Sequence, residues 1–224
     1  MTNDKLYIFT FYRFLNIKNK KSFKNLLDRY FKNKILRGTI LISDEGINAS
    51  ISGTKNHLLD SVQLIKKELR IRKLHIKVNN VNFLPFNRIK VRLKKEIVAF
   101  GKENLNVNKY TGKFIHPSKW NKEIKKKGVK LLDTRNIYEI NVGKFKGAIN
   151  PNTSSFRDFP NQLKIKGIKK NDRLAIYCTG GIRCEKASAY LKLNGFKDII
   201  QLDGGILNYL DYIKKEKKES LWKG

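Results

Sequence analysis

Cysteine is scarce in this chain. Its 224 residues include only two, Cys178 and Cys184. Two cysteines are too few for a small domain held together by several disulfides, and they exclude a zinc site built from four cysteines. Any function that involves these residues is therefore expected to use the reactivity of the thiol.

Long apolar runs are also missing. No hydrophobic run approaches the roughly 18 residues that mark a membrane-spanning helix. The opening residues, MTNDKLYIFTFYRF, carry charges where a signal peptide would be apolar. We therefore expect no membrane partner, no export, and a cytoplasmic location.

Acidic side chains are few. The 19 Asp and Glu stand against 49 Lys and Arg, which gives a formal net charge of +30. Such an excess favours a polyanionic partner such as nucleic acid. A second interpretation needs no partner, because 38 of the basic residues are Lys and Asn occurs 23 times, a bias that AT-rich coding sequence produces. Composition alone leaves both interpretations open.

The order of apolar patterns predicts two domains. The 40% hydrophobic content excludes global disorder. Residues 1–100 follow the order β-α-β-β-α-β with an extra strand, which is typical of a ferredoxin-like fold. One helix is expected to be capped by Ser22, and the other carries Leu58, Leu59, Val62, Ile65 and Leu69 on one face. The predicted strands are 6–14, 39–43, 47–53, 74–78 and 88–93.

The second half of the chain has a different pattern. Residues 101–116 lack apolar periodicity and are predicted to be a linker. Residues 117–224 then form the second domain, in which a helix begins at Pro117 and is capped by His116 or Ser118. Apolar strands alternate with helices, which indicates a parallel sheet flanked by helices. These strands are predicted at 129–133, 147–150, 174–178 and 199–205.

The segment that says most about function is LAIYCTGGIRCEKASAYL, residues 174–191. An apolar strand brings Cys178 to its carboxyl end, where the active sites of parallel sheets lie. Inward N–H groups, a helix N-terminus and a permanent cation all favour the thiolate, which is the form a sulfur nucleophile requires. The alternative is an inert, buried cysteine. We call residues 178–183 the cysteine loop, and its predicted anion-binding residues are Thr179, Gly180, Gly181, Ile182 and Arg183.

Three further residues are candidates for supporting roles. Cys184 falls in the first turn of the following helix, where it is either a capping or structural residue or a second reactive thiol. Asp133 and Arg135 lie at the end of a predicted buried strand. They are expected to orient the cysteine loop by charge pairing, with structural support favoured over catalysis.

Longer strings carry a resemblance to a known family. Four residues separate Cys178 from Arg183, one fewer than in cysteine phosphatases, and the shorter ring fits a small group such as a sulfane sulfur. Residues from about 117 to 213 resemble a rhodanese domain, through LLDTRNIYEINVGKFKGAINP and CTGGIR. The chain as a whole resembles the rhodanese-like tRNA uridine-34 hydroxylases, through EGIN at 45–48, FNRIKVRLKKEIV at 86–98, FRDFP at 156–160, CTGGIRCEKASAYL at 178–191 and QLDGGILNYL at 201–210.

This resemblance implies an acylphosphatase-like first domain and a rhodanese second domain. It implies that the partner is tRNA and that the wobble uridine of the anticodon is converted into 5-hydroxyuridine. It also implies O2 and an unidentified electron donor as co-reactants, with Cys178 as the catalytic residue and a persulfide as the intermediate. The residues themselves identify no cofactor.

A basic stripe favours RNA independently of the resemblance. Ile89, Val91 and Leu93 alternate with cations, so that on a strand the cations line one face about 6.6 Å apart. Such a stripe can follow a phosphate backbone, although a solvated strand face is an equal interpretation. The cations are Arg88, Lys90, Arg92 and Lys94. Phe83, Phe86 and Phe100 are either core residues or base-stacking surfaces.

Three functional hypotheses remain open from the sequence. The first is a tRNA-modifying hydroxylase, the second is a sulfurtransferase that carries a persulfide on Cys178, and the third is an RNA-binding module with a relic rhodanese fold. No metal site is expected, because His57, His75 and His116 have no second ligand at a suitable spacing.

Overall fold

The computed structural model describes residues 5–102, 105–162 and 168–224. The chain divides into two compact units, the first ending at Val98 and the second beginning at Ala99. No helix within these described ranges is long and apolar enough to cross a membrane.

The first unit is a five-stranded sheet with two helices among its described residues. The sheet order is β4-β1-β3-β2-β5, in which β5 alone is parallel to its neighbour β2. This is the split βαβ arrangement with one added strand, so the ferredoxin-like prediction is confirmed. Its elements are β1 (Leu6–Phe14), α1 (Lys20–Phe31), β2 (Arg37–Ser43), β3 (Gly46–Thr54), α2 (Lys55–Glu68), β4 (Ile76–Val81) and β5 (Ile89–Leu93).

One face of this sheet holds the core. In β1, Phe9 and Phe11 are buried while Thr10 between them is exposed, the period of two that a half-covered strand requires. The buried phenylalanines cluster with apolar residues of α1 and α2. Leu59 was predicted to lie on the buried face of α2, but it is 40% exposed, since it is turned about 100° from the buried Leu58. Helix α1 begins before the predicted cap Ser22, which lies inside its first turn.

The second unit is built on a four-stranded parallel sheet of order β6-β10-β9-β7. The last four residues of β9 and of β10 are buried although successive side chains point to opposite faces. Helices therefore cover both faces, as predicted for an α/β sheet. Its elements are α3 (Val107–Tyr110), β6 (Lys113–Ile115), α4 (Pro117–Ile124), β7 (Val129–Asp133), α5 (Ile137–Ile140), β8 (Lys144–Phe145), a 3-10 turn (Phe156–Asp158), α6 (Phe159–Gln162), β9 (Arg173–Tyr177), α7 (Ile182–Leu193), β10 (Asp198–Leu202), α8 (Gly205–Glu216) and β11 (Trp222–Lys223).

Two local predictions need correction and one is confirmed. Part of the stretch predicted as a linker belongs to the sheet, because β6 pairs with β10. The three residues of β6 are too few to show the apolar alternation from which strands were predicted. The predicted strand 147–150 is reduced to one bridge between Ile149 and Leu132, since Gly147 has a φ of 78° and leaves the extended conformation. Helix α4 begins at Pro117 as predicted, and His116 Nδ1 accepts the N–H of Ser118 at 3.2 Å.

Candidate active site

The cysteine loop starts directly after β9. This strand is the central partner of both β7 and β10, so its carboxyl end lies in the middle of the sheet edge. Gly181 has a φ of 99°, a conformation that favours glycine, and it precedes the first residue of α7, the half-buried Ile182. Gly180 lies on the open side of the loop, where an added Cβ would meet no described atom within 4 Å.

Polar hydrogens surround the sulfur of Cys178. The N–H of Gly181 donates to Sγ at 3.0 Å, and the thiol and backbone N–H of Cys184 also donate to it. The side chain is fully buried, and burial by itself raises the pKa of a thiol. The hydrogen bond from the Cys184 thiol, the charge of Arg183 and the two N–H groups outweigh that effect and lower the pKa of Cys178 to about 6. Cys178 is therefore a thiolate at neutral pH, the form predicted from the sequence.

Arg183 acts on the sulfur through its charge. Its guanidinium donates two hydrogen bonds to the carboxylate of Glu139, at 2.5 and 2.6 Å, and one to the hydroxyl of Thr179 at 3.1 Å. Thr179 in turn donates to Glu139 at 2.9 Å. Burial raises the pKa of Glu139, but these bonds outweigh it and hold the pKa below its ordinary value. The sequence predicted Arg183 as the cation of the anion-binding loop. Its guanidinium hydrogen-bonds to Glu139 and Thr179, while its charge favours the thiolate of Cys178.

Cys184 is the neighbouring thiol. It is fully buried in the first turn of α7, and the hydroxyl of Thr134 lies 3.5 Å from its sulfur. Burial raises the pKa of Cys184, and the hydrogen bond to Cys178 and the negative charge of that residue raise it further. The pair therefore consists of one thiolate and one thiol.

Asp133 and Arg135 pair with each other. Arg135 donates to the carboxylate of Asp133 through Nε at 3.0 Å and Nη2 at 2.7 Å, and both side chains are buried. The same guanidinium donates to the carbonyls of Glu139 and Gly143, at 3.1 and 2.6 Å. The ion pair therefore holds the segment that carries Glu139, which is a supporting role one step removed from the predicted one.

Helix α8 provides a support that sequence reasoning missed. The N–H groups of Ile206 and Leu207 donate to the carbonyls of Cys178 and Thr179, at 2.9 and 3.1 Å. A Cβ at Gly205 would lie 2.5 Å from the Cys178 carbonyl oxygen, and its φ is 65°. Two adjacent glycines before a helical pattern, in QLDGGILNYL, were the available signal.

Comparison with known proteins places these features in a family. Residues 6–97 match the UPF0176 acylphosphatase like domain, and residues 116–211 match the rhodanese-like domain. Proteins named tRNA uridine(34) hydroxylase are similar over 97% of this chain. They include those of Pelagibacter ubique, at 46% identity over 71% of its length, Picosynechococcus, at 44% over 72%, and the Wolbachia strain wMel, at 42% over 78%. The chain belongs to the tRNA uridine(34) hydroxylase family. The family and fold class predicted from the sequence are thereby confirmed.

A solved structure is also similar to part of this tRNA uridine(34) hydroxylase family member. It is a rhodanese-like domain protein from Staphylococcus aureus, with 28% identity and a TM-score of 0.37. The match covers 43% of this chain and 90% of that one.

The basic stripe of this family member lies on the edge strand β5. Ile89, Val91 and Leu93 pack against the core of the first unit, as the alternation predicted. Arg88 and Lys94 flank the strand and continue its pairing with β2 through their backbones. The predicted cations Arg88, Arg92 and Lys94 are exposed, and Lys90 is half-buried.

The phenylalanines predicted as core or base-stacking residues differ in exposure. Phe83 is 69% exposed and Phe86 is half-buried. Phe100 is fully buried against Phe156, with ring centroids 4.7 Å apart, so it is a core residue. Within the described ranges, no group of three or more His, Cys, Asp or Glu is placed to hold a metal ion.

Proposed function

We propose that this chain hydroxylates uridine 34 of tRNA, with Cys178 as the reacting residue. The observation that supports this most is the thiolate at the end of β9, in a chain 46% identical to a protein named tRNA uridine(34) hydroxylase. A sulfur with a pKa near 6 is ionised in the cell and reacts without a separate general base.

The proposed reaction is oxygen-dependent. One oxygen atom of O2 enters the C5–H bond of uracil and gives 5-hydroxyuridine. The other oxygen atom leaves as water, which consumes two electrons and two protons from a reductant. In this chain, the Gly181 N–H and the Cys184 thiol keep Cys178 ionised, while the Arg183–Glu139 pair and the start of α8 hold the loop that carries it.

We further propose that the open face of the first unit binds the phosphate backbone of tRNA. The strand register places Lys77, Thr10, Ser50, Thr39 and Lys90 in one row across all five strands, on the face opposite the core. Neighbouring strands are about 4.8 Å apart, so the two lysines are separated by roughly 19 Å along a polar row. Arg92 lies two residues beyond Lys90 on the same face, which extends the positive charge along the edge strand.

The hydroxylase proposal is tested in cells. The chain and its Cys178→Ser variant are expressed in cells that lack their own enzyme, and tRNA nucleosides are quantified by mass spectrometry. We expect 5-hydroxyuridine with the wild type and none with Cys178→Ser at equal protein level. Undiminished 5-hydroxyuridine in the variant would remove Cys178 from the reaction, and tight tRNA binding without any nucleoside change would favour a binding module.

The RNA surface is tested by a charge-matched comparison. Lys90→Ser with Arg92→Ser removes two cations of the sheet face, and Lys119→Ser with Lys122→Ser removes two exposed cations of α4. We expect the first pair to weaken tRNA binding roughly tenfold and to reduce the salt slope by about 1.5. Equal effects of both pairs would show that net charge, and not this face, binds tRNA.

A second candidate function is sulfur transfer. The four-residue spacing from Cys178 to Arg183, the inward N–H of Gly181 and the open side at Gly180 suit a persulfide on Cys178. Incubation with thiosulfate would then add the mass of one sulfur to Cys178. Sulfur loading, combined with unchanged 5-hydroxyuridine in cells that lack the protein, would favour this function over hydroxylation.

A further inference from the structure

The second thiol of the site has so far been given one role, which is to keep Cys178 ionised through a hydrogen bond. Cys184 is fully buried and hydrogen-bonded to the reacting sulfur, six residues along the chain. Its partner on the other side is the hydroxyl of Thr134, at 3.5 Å. A residue needed only to cap α7 would use its side chain on a backbone N–H, whereas this sulfur is directed at Cys178.

The hydroxylation has an electron requirement that matches this pair. Insertion of one oxygen atom from O2 into a C–H bond, with release of the other as water, takes up two electrons and two protons. Oxidation of two thiols to one disulfide releases two electrons and two protons. The sum is balanced: U–H, O2 and two thiols give U–OH, H2O and one disulfide.

We propose that Cys178 and Cys184 are the immediate electron donor, and that each hydroxylation leaves a Cys178–Cys184 disulfide which an external dithiol reduces. This inference rests on the proposed hydroxylase function. The S–S bond forms between the two sulfurs. Because Cys178 is already ionised, the water formed takes one proton from the Cys184 thiol and one from solvent. The reductant then restores the pair by thiol–disulfide exchange.

The geometry suits such a cycle. A hydrogen bond joins the two side chains, so they already face each other, and formation of the disulfide would bring the sulfurs to roughly 2.05 Å. Both sulfurs are buried, which protects the two cysteines from reaction with thiols other than the specific dithiol that reduces them. The external dithiol would approach on the side of Gly180, where an added Cβ would meet no described atom within 4 Å.

The experiment measures product and disulfide together. The reduced full-length chain is freed of reductant without oxygen, mixed with unmodified tRNA, and then exposed to O2. We expect about one 5-hydroxyuridine per chain, an equal amount of Cys178–Cys184 disulfide by peptide mass spectrometry, and further turnover when dithiothreitol is added. Product formed while both thiols remain free to alkylate would overturn the inference and leave the hydroxylase function standing.

Two variants separate electron donation from tuning of the thiolate. Cys184→Ser keeps a hydrogen-bond donor to Cys178 but cannot form the disulfide, while Cys184→Ala loses both. We expect Cys184→Ser to keep the alkylation midpoint of Cys178 near that of the wild type and to lose at least about tenfold in turnover with dithiothreitol. Cys184→Ala should also raise the midpoint.

The outcomes distinguish the two levels of the proposal. Undiminished turnover of Cys184→Ser would overturn the dithiol donor alone. Failure of the reduced chain to form the disulfide with a mild peroxide would overturn it as well, without any measurement of activity. Absence of 5-hydroxyuridine from the wild type with O2, tRNA and dithiothreitol would instead overturn the hydroxylase function itself.

Discussion

The charge of Arg183 provides the sharpest test of how this site keeps its sulfur ionised. We consider Arg183→Gln, which removes the cation that pairs with Glu139 and Thr179 but keeps a polar side chain that can donate hydrogen bonds. Glu139 then becomes an uncompensated negative charge beside the cysteine loop. Both changes act in the same direction, because each disfavours the thiolate of Cys178.

The expected size follows from the surroundings of the sulfur. An opposite charge nearby lowers a pKa by roughly one to three units, so we expect the pKa of Cys178 to rise from about 6 to between about 7 and 9. At a pKa of about 7.5, the thiolate fraction at pH 7 would fall from about nine-tenths to about a quarter. The more basic sulfur would also be about fivefold more nucleophilic, since reactivity follows pKa with a Brønsted slope near 0.4 to 0.5. The rate at pH 7 would therefore barely change, and the midpoint is the quantity to measure.

The assay measures the rate at which Cys178 is alkylated as a function of pH, with peptide mass spectrometry to identify the alkylated residue. The absorbance of the thiolate is a second measurement, which does not require a reagent to reach the buried sulfur. The thiolate is the reacting form, so the rate rises with pH through the pKa and is level above it. Arg173→Gln is the matched control, because Arg173 begins the same strand β9 and pairs with Glu123 at 2.8 Å. We expect the midpoint to move only in Arg183→Gln. The same midpoint in both variants would show that Arg183 does not tune the sulfur.

Two further predictions concern the support of the cysteine loop. Gly205→Ala should destabilise the chain by more than about 1 kcal/mol and lower 5-hydroxyuridine formation, because its Cβ would lie 2.5 Å from the Cys178 carbonyl. Gly128→Ala is the control, because Gly128 also has a positive φ but an added Cβ there would meet no described atom within 4 Å. In a denaturant titration, its loss of stability therefore measures the backbone strain alone, without the clash expected at Gly205. Asp133→Asn should cost about 3 to 5 kcal/mol, because it leaves the buried guanidinium of Arg135 unpaired. Asp172→Asn, at a pair more open to solvent, should leave the unfolding midpoint near that of the wild type, and equal losses in the two variants would contradict the reasoning.

Local sequence patterns determined much of this molecule. Alternation in residues 6–14 identifies the buried face of β1, and the apolar run before Cys178 identifies a buried strand that ends at the reactive sulfur. Burial at a period of two is a property of a strand by itself, so it can be read without knowing the partner. The requirement for Gly181 in the cysteine loop is local for the same reason, since it depends on the backbone of a single turn.

Only the tertiary structure decided which groups meet around that sulfur. Glu139 lies 44 residues before Arg183, and their pairing depends on β7 and β9 being neighbours in the sheet. The approach of Gly205 to the Cys178 carbonyl likewise depends on β10 lying on the other side of β9. Periodicity predicts which side of a helix or strand is buried. Which residues from other elements pack against that side depends on the order of the strands in the sheet. The Gly181 N–H and the Arg183 charge that favour the thiolate of Cys178 were therefore predictable from its own loop. The hydrogen bond from the Cys184 thiol, the carboxylate that pairs with Arg183 and the helix that holds the loop were not.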